Sequence, residues 1–290
     1  MLYRGYDLAA LDAQYNNQAR VPHFQTWVSK WQARSAEVRA MDGVQRDVAY
    51  GEAEGMALDV HPPIGDAGGG RAPMLLFFHG GYWQARDKTD FAFVVDGFTR
   101  HGALVLNVNY ALCPSVSMTE LVEQCRHAVV WAYRRAGEIG GDAERLFVSG
   151  HSAGGHIVAE LAGTDWIAFA SGLPRDAVKG GVAISGLYDL EPMRLCYLND
   201  KLKLDAPEAR ALSPIHHVPP RLPPLLFTVG GAESEEFLRQ QADYVAALRR
   251  SRHGPGEIAM PGHDHFSIID AFADAEGPLA RATRGLMGLP

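Results

Sequence analysis

The stretch GHSAGGH at residues 150–156 places Ser152 between two histidines, with glycine two residues to either side. A serine hydroxyl is a weak nucleophile; it performs acyl chemistry where a turn exposes it and a histidine takes its proton. The pattern G-x-S-x-G arises by chance in about one chain in ten of this length, so alone it also reads as a glycine-rich turn that happens to hold a serine. Its flanks favour the nucleophile. RLFVS (145–149) is a short strand-like run, and AGGHIVAELAG (153–163) continues with helical spacing. Ser152 then stands on a tight strand-to-helix turn. The N–H of Ala153 lies at a helix N-terminus, where a developing negative oxygen is stabilised.

Such a serine requires a base and an acid. Of the 12 histidines, His263 and His265 lie in PGHDHFSII (261–269), after the candidate strand EIAM. His265, directly before the apolar start of a helix, is the expected base. His151 and His156, sequence neighbours on the elbow, are expected to point away from the hydroxyl and to pack or cap. An H-D-H metal site finds no further ligand cluster, so neither a metal nor an organic cofactor is expected. The acid should follow the strand PLLFTV, where GGAESEE offers Glu233, Glu235 and Glu236. Ser234 suits a helix cap, with Glu235 and Glu236 at the positive helix end. Glu233, nearest the strand, is left to orient the histidine.

HGGYW (79–83) follows the apolar run MLLFF. Its glycines let the N–H groups of Gly80 and Gly81 approach a substrate oxygen and complete, with Ala153, an oxyanion hole. One such donor contributes about 2.7–4 kcal/mol to a transition state. His79 is expected to brace this loop. Tyr82, Trp83 and Tyr188 fit an aromatic wall for an aryl leaving group, and fit the packing of a cap equally well.

These residues need a frame that brings four distant segments together. VQRDVAY (44–50) and MALDVH (56–61) alternate as an antiparallel pair, while MLLFFH (74–79), ALVLNVN (103–109), GGVAIS (180–185) and PLLFTVG (224–230) are short apolar runs of the kind buried in a parallel sheet. Each later strand is expected to lead into a helix, among them 117–137 and EEFLRQQADYVAALRRS (235–251). GDAGGG (65–70) reads as a turn. The expectation is α/β, a mostly parallel sheet with helices on both faces, in one domain spanning 1–290. Segments 1–40, helical and aromatic, and 187–223, proline-rich and irregular, are expected to form a small cap or lid.

Composition bounds the partners. A chain of 290 residues, 47% hydrophobic, can bury a substantial core. A net charge of -7 without a dense Lys/Arg cluster argues against nucleic acid or an anionic membrane as partner. No run approaches the 18 apolar residues of a membrane span, and the opening MLYRGYDLAALDAQYNN lacks the core of a secretory signal. A cytoplasmic protein acting on a small-molecule amide or ester is expected, with self-association as a homodimer left open. Cys113, Cys125 and Cys196 suit reduced core thiols better than disulfides.

Taken in order, HGGYWQ (79–84), GHSAGGH, SGLYDLEP (185–192), LSP (212–214), VGGAESEEFLRQ (229–240) and DHFSII (264–269) resemble the serine-dependent kynurenine formamidases, or arylformamidases, of the α/β-hydrolase fold, near the esterase and lipase branch that carries HGG motifs. The similarity runs from about residue 45 to 275. It implies hydrolysis of N-formyl-L-kynurenine to L-kynurenine and formate, with short-chain or aryl esters as the alternative substrates. A non-catalytic binding protein on the same scaffold is a third reading. The resemblance matches the family's nucleophile to Ser152 and its base to His265. Two departures stand out: glutamate occupies position 233, where the family usually has aspartate, and YNNQARVPHFQTWVSKW (15–31) does not match the animal enzymes. That segment is expected to reshape the pocket.

Overall fold

The structure, a computed structural model, describes residues 1–65 and 70–290; residues 66–69 of the expected GDAGGG turn lie outside the described residues. Eight strands form one sheet: β1 (Gln45–Ala49), β2 (Ala57–His61), β3 (Ala72–Phe78), β4 (Leu104–Val108), β5 (Gly141–His151), β6 (Gly180–Ile184), β7 (Leu225–Thr228) and β8 (Gly256–Glu257). Their order is β1-β2-β4-β3-β5-β6-β7-β8. The β1–β2 and β2–β4 pairs are antiparallel, and every pairing from β4 to β8 is parallel.

The helices are α1 (Leu8–Tyr15), α2 (Asn17–Arg20), α3 (Phe24–Arg39), α4 (Met118–Arg135), α5 (Ala153–Ala162), α6 (Trp166–Phe169), α7 (Glu191–Leu195), α8 (Asn199–Leu202), α9 (Ala206–Ala211), α10 (Glu235–Arg250), α11 (Ser267–Phe272) and α12 (Pro278–Met287). Strands β3, β4 and β6 are buried at every position because both faces of the sheet are covered. Alternation along β3 divides the core. Met74, Leu76 and Phe78 join residues of α4, α5 and α10, while Leu75 and Phe77 join residues of α3, α11 and α12 on the opposite face.

One element differs from the sequence reading and one stretch it left unassigned takes shape. The crossover from β3 to β4, for which the sequence reading named no helix, is built from 3-10 turns, Lys88–Asp90, Ala92–Gly97 and Thr99–His101. Its apolar residues Phe91, Phe93, Val94, Val95 and Phe98 are all buried, and α3 from the N-terminal segment packs on this crossover. The strand expected over EIAM shrinks to Gly256–Glu257 plus an isolated bridge between Gly230 and Met260. β8 is an edge strand, with only β7 beside it.

Parallel strands deliver their carboxyl ends to one rim. There β3 leads to His79, β5 to Ser152, β7 to the turn before Glu233, and the segment after β8 to His265. In open α/β sheets this rim is where ligands bind.

Candidate active site

Ser152 adopts φ 58° and ψ -117°, an unusual torsion for a residue bearing a side chain, at the junction of β5 and α5. The flanking glycines make the junction sterically feasible. A Cβ on Gly154 would collide with the carbonyl oxygen of Phe78 on β3, and one on Gly155 would come within 2.7 Å of the Cα of Gly186. The helix thereby lies directly against the sheet rim, with Ser152 lifted over it.

Ser152 Oγ lies 3.0 Å from His265 Nε2, and His265 Nδ1 lies 2.6 Å from Glu233 Oε2. A proton on Nδ1, donated to the carboxylate, leaves the Nε2 lone pair facing the serine hydroxyl. The three side chains come from residues 113 and 32 positions apart in sequence, and all three residues are buried. The other carboxylate oxygen of Glu233 accepts from Ser185 Oγ at 2.5 Å and from the Gly230 N–H at 2.8 Å. Ser234, next in sequence, caps α10 through its hydroxyl, with Glu235 and Glu236 in the first turn. Glu236 pairs with Arg239 and accepts from Tyr15, and Glu235 accepts from Tyr6. Those two carboxylates are thus held away from the histidine.

The N–H groups of Gly80, Gly81 and Ala153 find no acceptor among the described residues. Gly81 has φ +118° and packs against the carbonyl of Ala85, a backbone position suited to glycine. Tyr82, Trp83 and Arg86 also have positive φ, so the loop following the two glycines is bent through several disfavoured torsions. His79 braces it from below. Its ring lies 2.7 Å from the Gly80 carbonyl oxygen and 3.0 Å from Asn109 Oδ1, and stacks on Tyr110. Burial pushes the His79 imidazole below its ordinary pKa.

A cavity of about 330 Å³ opens over Ser152 and His265. Gly80, Gly81 and Tyr82 line one part of it; Trp31, Phe91 and Phe266 supply an aromatic wall. Asn16, Asn17 and Gln18 contribute polar groups from the N-terminal segment. Tyr82 donates to the Tyr15 carbonyl at 2.7 Å and accepts from Asn17 Nδ2 at 3.1 Å, tying that segment to the glycine loop.

Of the expected aromatic wall, Tyr82 faces the cavity and two residues do not. Trp83 is fully buried, its indole edge-on to His156, and Tyr188 is fully buried in a stack with Tyr244. Both are core residues, packed against His156 and Tyr244 respectively. The expectation for His151 is also corrected. Its ring lines the cavity 4.6 Å from the ring of His265, and neither nitrogen has a partner among the described residues. Desolvation, then the neighbouring His265, holds its pKa well below the ordinary histidine value, so it is neutral. His156 does pack and cap, its Nε2 lying 2.8 Å from the Leu212 carbonyl oxygen. Sequence reasoning missed Trp31, Phe91 and Phe266, whose stripes showed burial without showing which wall they would form. It also missed Ser185, for which no local pattern signalled a partner 48 residues away.

A doubly wound sheet with a strained serine elbow, a histidine and a buried carboxylate at the strand ends defines an enzyme of the serine hydrolase type. The chain belongs to the alpha/beta hydrolase fold family, whose sequence model matches residues 75–266. It is 32% identical over 266 residues to the kynurenine formamidase of Danio rerio, covering 90% of this chain and 88% of that one. An esterase of Mycobacterium tuberculosis, LipC, is 29% identical over 258 residues, with 82% of this chain and 63% of the esterase covered. A crystal structure from Silicibacter sp. TM1040, provisionally described as a thioesterase, superposes with a TM-score of 0.82 at 30% identity, over 93% of this chain and 97% of the other.

Proposed function

We propose that this enzyme hydrolyses a small aryl formamide, such as N-formyl-L-kynurenine, through a formyl-enzyme intermediate. The observation that carries the reading is the hydrogen-bonded chain from Ser152 through His265 to Glu233 beneath an aromatic-walled cavity. His265 Nε2 takes the proton as Ser152 Oγ attacks the formyl carbon. The carbonyl electron pair moves onto oxygen, where the N–H groups of Gly80, Gly81 and Ala153 are free to donate. His265 then gives its proton to the departing arylamine nitrogen as the C–N bond breaks. A water, deprotonated by the same histidine, attacks the formyl ester, and His265 returns the proton to Ser152 Oγ as the ester C–O bond breaks and formate leaves. Glu233 keeps the imidazole in the tautomer this sequence needs and offsets its charge when it becomes cationic.

The formyl group is the smallest acyl group, and a crowded elbow beneath an aromatic wall suits a small acyl part with an aryl leaving group. A second reading, hydrolysis of short acyl or aryl esters, uses the same residues and is favoured by the similarity to the esterase. Side-by-side kcat/KM values for N-formylkynurenine and p-nitrophenyl acetate separate the two. Efficient formamide turnover supports the first reading, and fast ester cleavage with negligible amide turnover supports the second. Ser152→Ala should abolish both activities, and retained turnover in a folded variant removes Ser152 from the mechanism.

The same proposal takes the chain as one catalytic unit in which 1–40 and 187–223 shape the cavity mouth. No helix among the described residues is long and apolar enough to cross a membrane. The three cysteines are free and buried, which supports residence in a reducing compartment such as the cytoplasm.

A further inference from the structure

The walls of the cavity carry few charges. Among its described lining residues there is no aspartate or glutamate, and Arg86 is the sole lysine or arginine. Glu233 lies behind His265, spent on His265, Ser185 and Gly230. Arg86 belongs to the loop that begins at the oxyanion glycines. A Cβ on Gly81 would stand 3.0 Å from its Cγ, so the stem of the arginine runs beside the glycine loop. Its backbone is held at φ 78° in the left-handed region, which residues with a side chain rarely adopt. The guanidinium is only loosely paired: the nearest carboxylate oxygen, Asp90 Oδ2, is 3.9 Å from Nη1, and Asp90 Oδ1 already accepts from Gln32 at 2.7 Å. The arginine side chain is mostly shielded, with 24% exposure.

A cation with spare donors, placed on the wall of a cavity in a protein of net charge -7, makes that cavity locally attractive to anions that the molecule as a whole repels. We infer that Arg86 is a specificity residue that binds a carboxylate carried by the leaving group, making the enzyme selective for anionic aryl amides and esters over neutral ones. The inference deepens the proposed function and rests on its placement of the substrate over Ser152. The α-carboxylate of an N-formylated aromatic amino acid of the kynurenine type supplies such a group. Arg86 makes a charge-assisted pair with it.

The test compares two esters that differ by one carboxylate, phenyl acetate and 4-carboxyphenyl acetate, on the wild type, Arg86→Gln and Arg86→Lys. The readout is the ratio of kcat/KM for the charged over the neutral ester within each variant, which cancels any loss of folded enzyme and, between variants, the intrinsic reactivity of the leaving groups. Arg86→Gln is expected to lower that ratio about tenfold or more, through KM of the charged ester, because a hydrogen bond to a charged group is lost. Arg86→Lys should recover part of it. A ratio indifferent to Arg86→Gln overturns the inference. N-formylkynurenine and formanilide, assayed on the same wild-type protein, keep the two readings apart. If neither formamide is cleaved while the ester ratio still depends on Arg86, the carboxylate site stands and the formamidase reading falls. If formamides are cleaved and the ester ratio is unmoved, the reverse holds.

Discussion

At the scale of single residues, the candidate site depends on how Glu233 reaches His265. A glutamate is one methylene longer than the aspartate expected from the resemblance. The slack is removed by holding one carboxylate oxygen between Ser185 and the Gly230 N–H, so that the other points at Nδ1. Glu233→Gln keeps the shape but offers an amide that favours the wrong imidazole tautomer. It is expected to lower kcat by about 10³–10⁴ with KM little changed. Glu235→Gln, whose carboxylate contacts Tyr6 near the surface, serves as the control and should leave kcat within about twofold. If Glu235→Gln is the variant that fails, the acid is misassigned. Ser185→Ala removes one donor while leaving the Gly230 N–H, and should lower kcat about tenfold; a loss confined to KM would show that Ser185 acts on substrate and not on Glu233.

At the scale of elements, the glycine loop at Gly80–Gly81, whose N–H groups are the proposed oxyanion donors, is held from outside the rim by an ion-pair cluster. Asp59 on β2 is fully buried and meets Arg39 of α3 at 2.6 Å and Lys88 at 2.9 Å. The Lys88 N–H donates to Asn109, which in turn holds His79 beneath Gly80. Asp59→Ala takes from the buried Lys88 ammonium its buried carboxylate partner, leaving only the exposed Asp47, and should cost about 3–5 kcal/mol of stability, measured by urea unfolding. A loss under 1 kcal/mol would mean that Asp47, already beside Lys88, replaces it. The strands and the elbow were legible in the sequence because their signals are local. Apolar runs of period two or full burial mark β1 to β7, and glycines mark the places where backbone meets backbone. The crossover after β3 was not legible, since a run of Phe and Val reads as buried without specifying 3-10 over α. The side-chain directions of His151, Trp83 and Tyr188 were not legible either. They depend on torsions of the loops and on what packs behind them, here His156 and Tyr244, which sit far off in sequence.

For the whole molecule, burial of neutral histidines sets the response to acid. His61 and His156 are each depressed from 6.5 to about 4, in both cases mainly by desolvation. His61 has no hydrogen-bond partner for either nitrogen among the described residues, and the free nitrogen of His156 has none. The unfolded chain protonates these rings as pH falls below 6.5, whereas the folded chain does so only near 4. Between those values the unfolded state therefore binds more protons, and the sign is fixed: stability is full above about 6.5 and falls as pH drops towards 4. Each ring contributes roughly 3 kcal/mol across that interval, or about 1.4 kcal/mol per pH unit. His79 and His151 are depressed by burial in the same direction and steepen the limb. The carboxylates held below their ordinary range, Asp59 and Asp87 among them, act mainly at lower pH, because their unfolded value is 3.8. Between pH 6.5 and 4.5 the histidines outnumber the one opposing group among the described residues, the Glu160 carboxyl, which burial raises to about 7 so that the folded state takes up its proton first. Unfolding free energies from urea titrations at several pH values in that window should decline steeply for the wild type. His61→Leu, which removes one titrating ring from an apolar setting beside Val38 and Val95, should flatten the slope by about 1.4 kcal/mol per pH unit. An unchanged slope in that variant would show that His61 takes up its proton in the folded state as readily as in the unfolded one, and the acid limb would then belong to other groups.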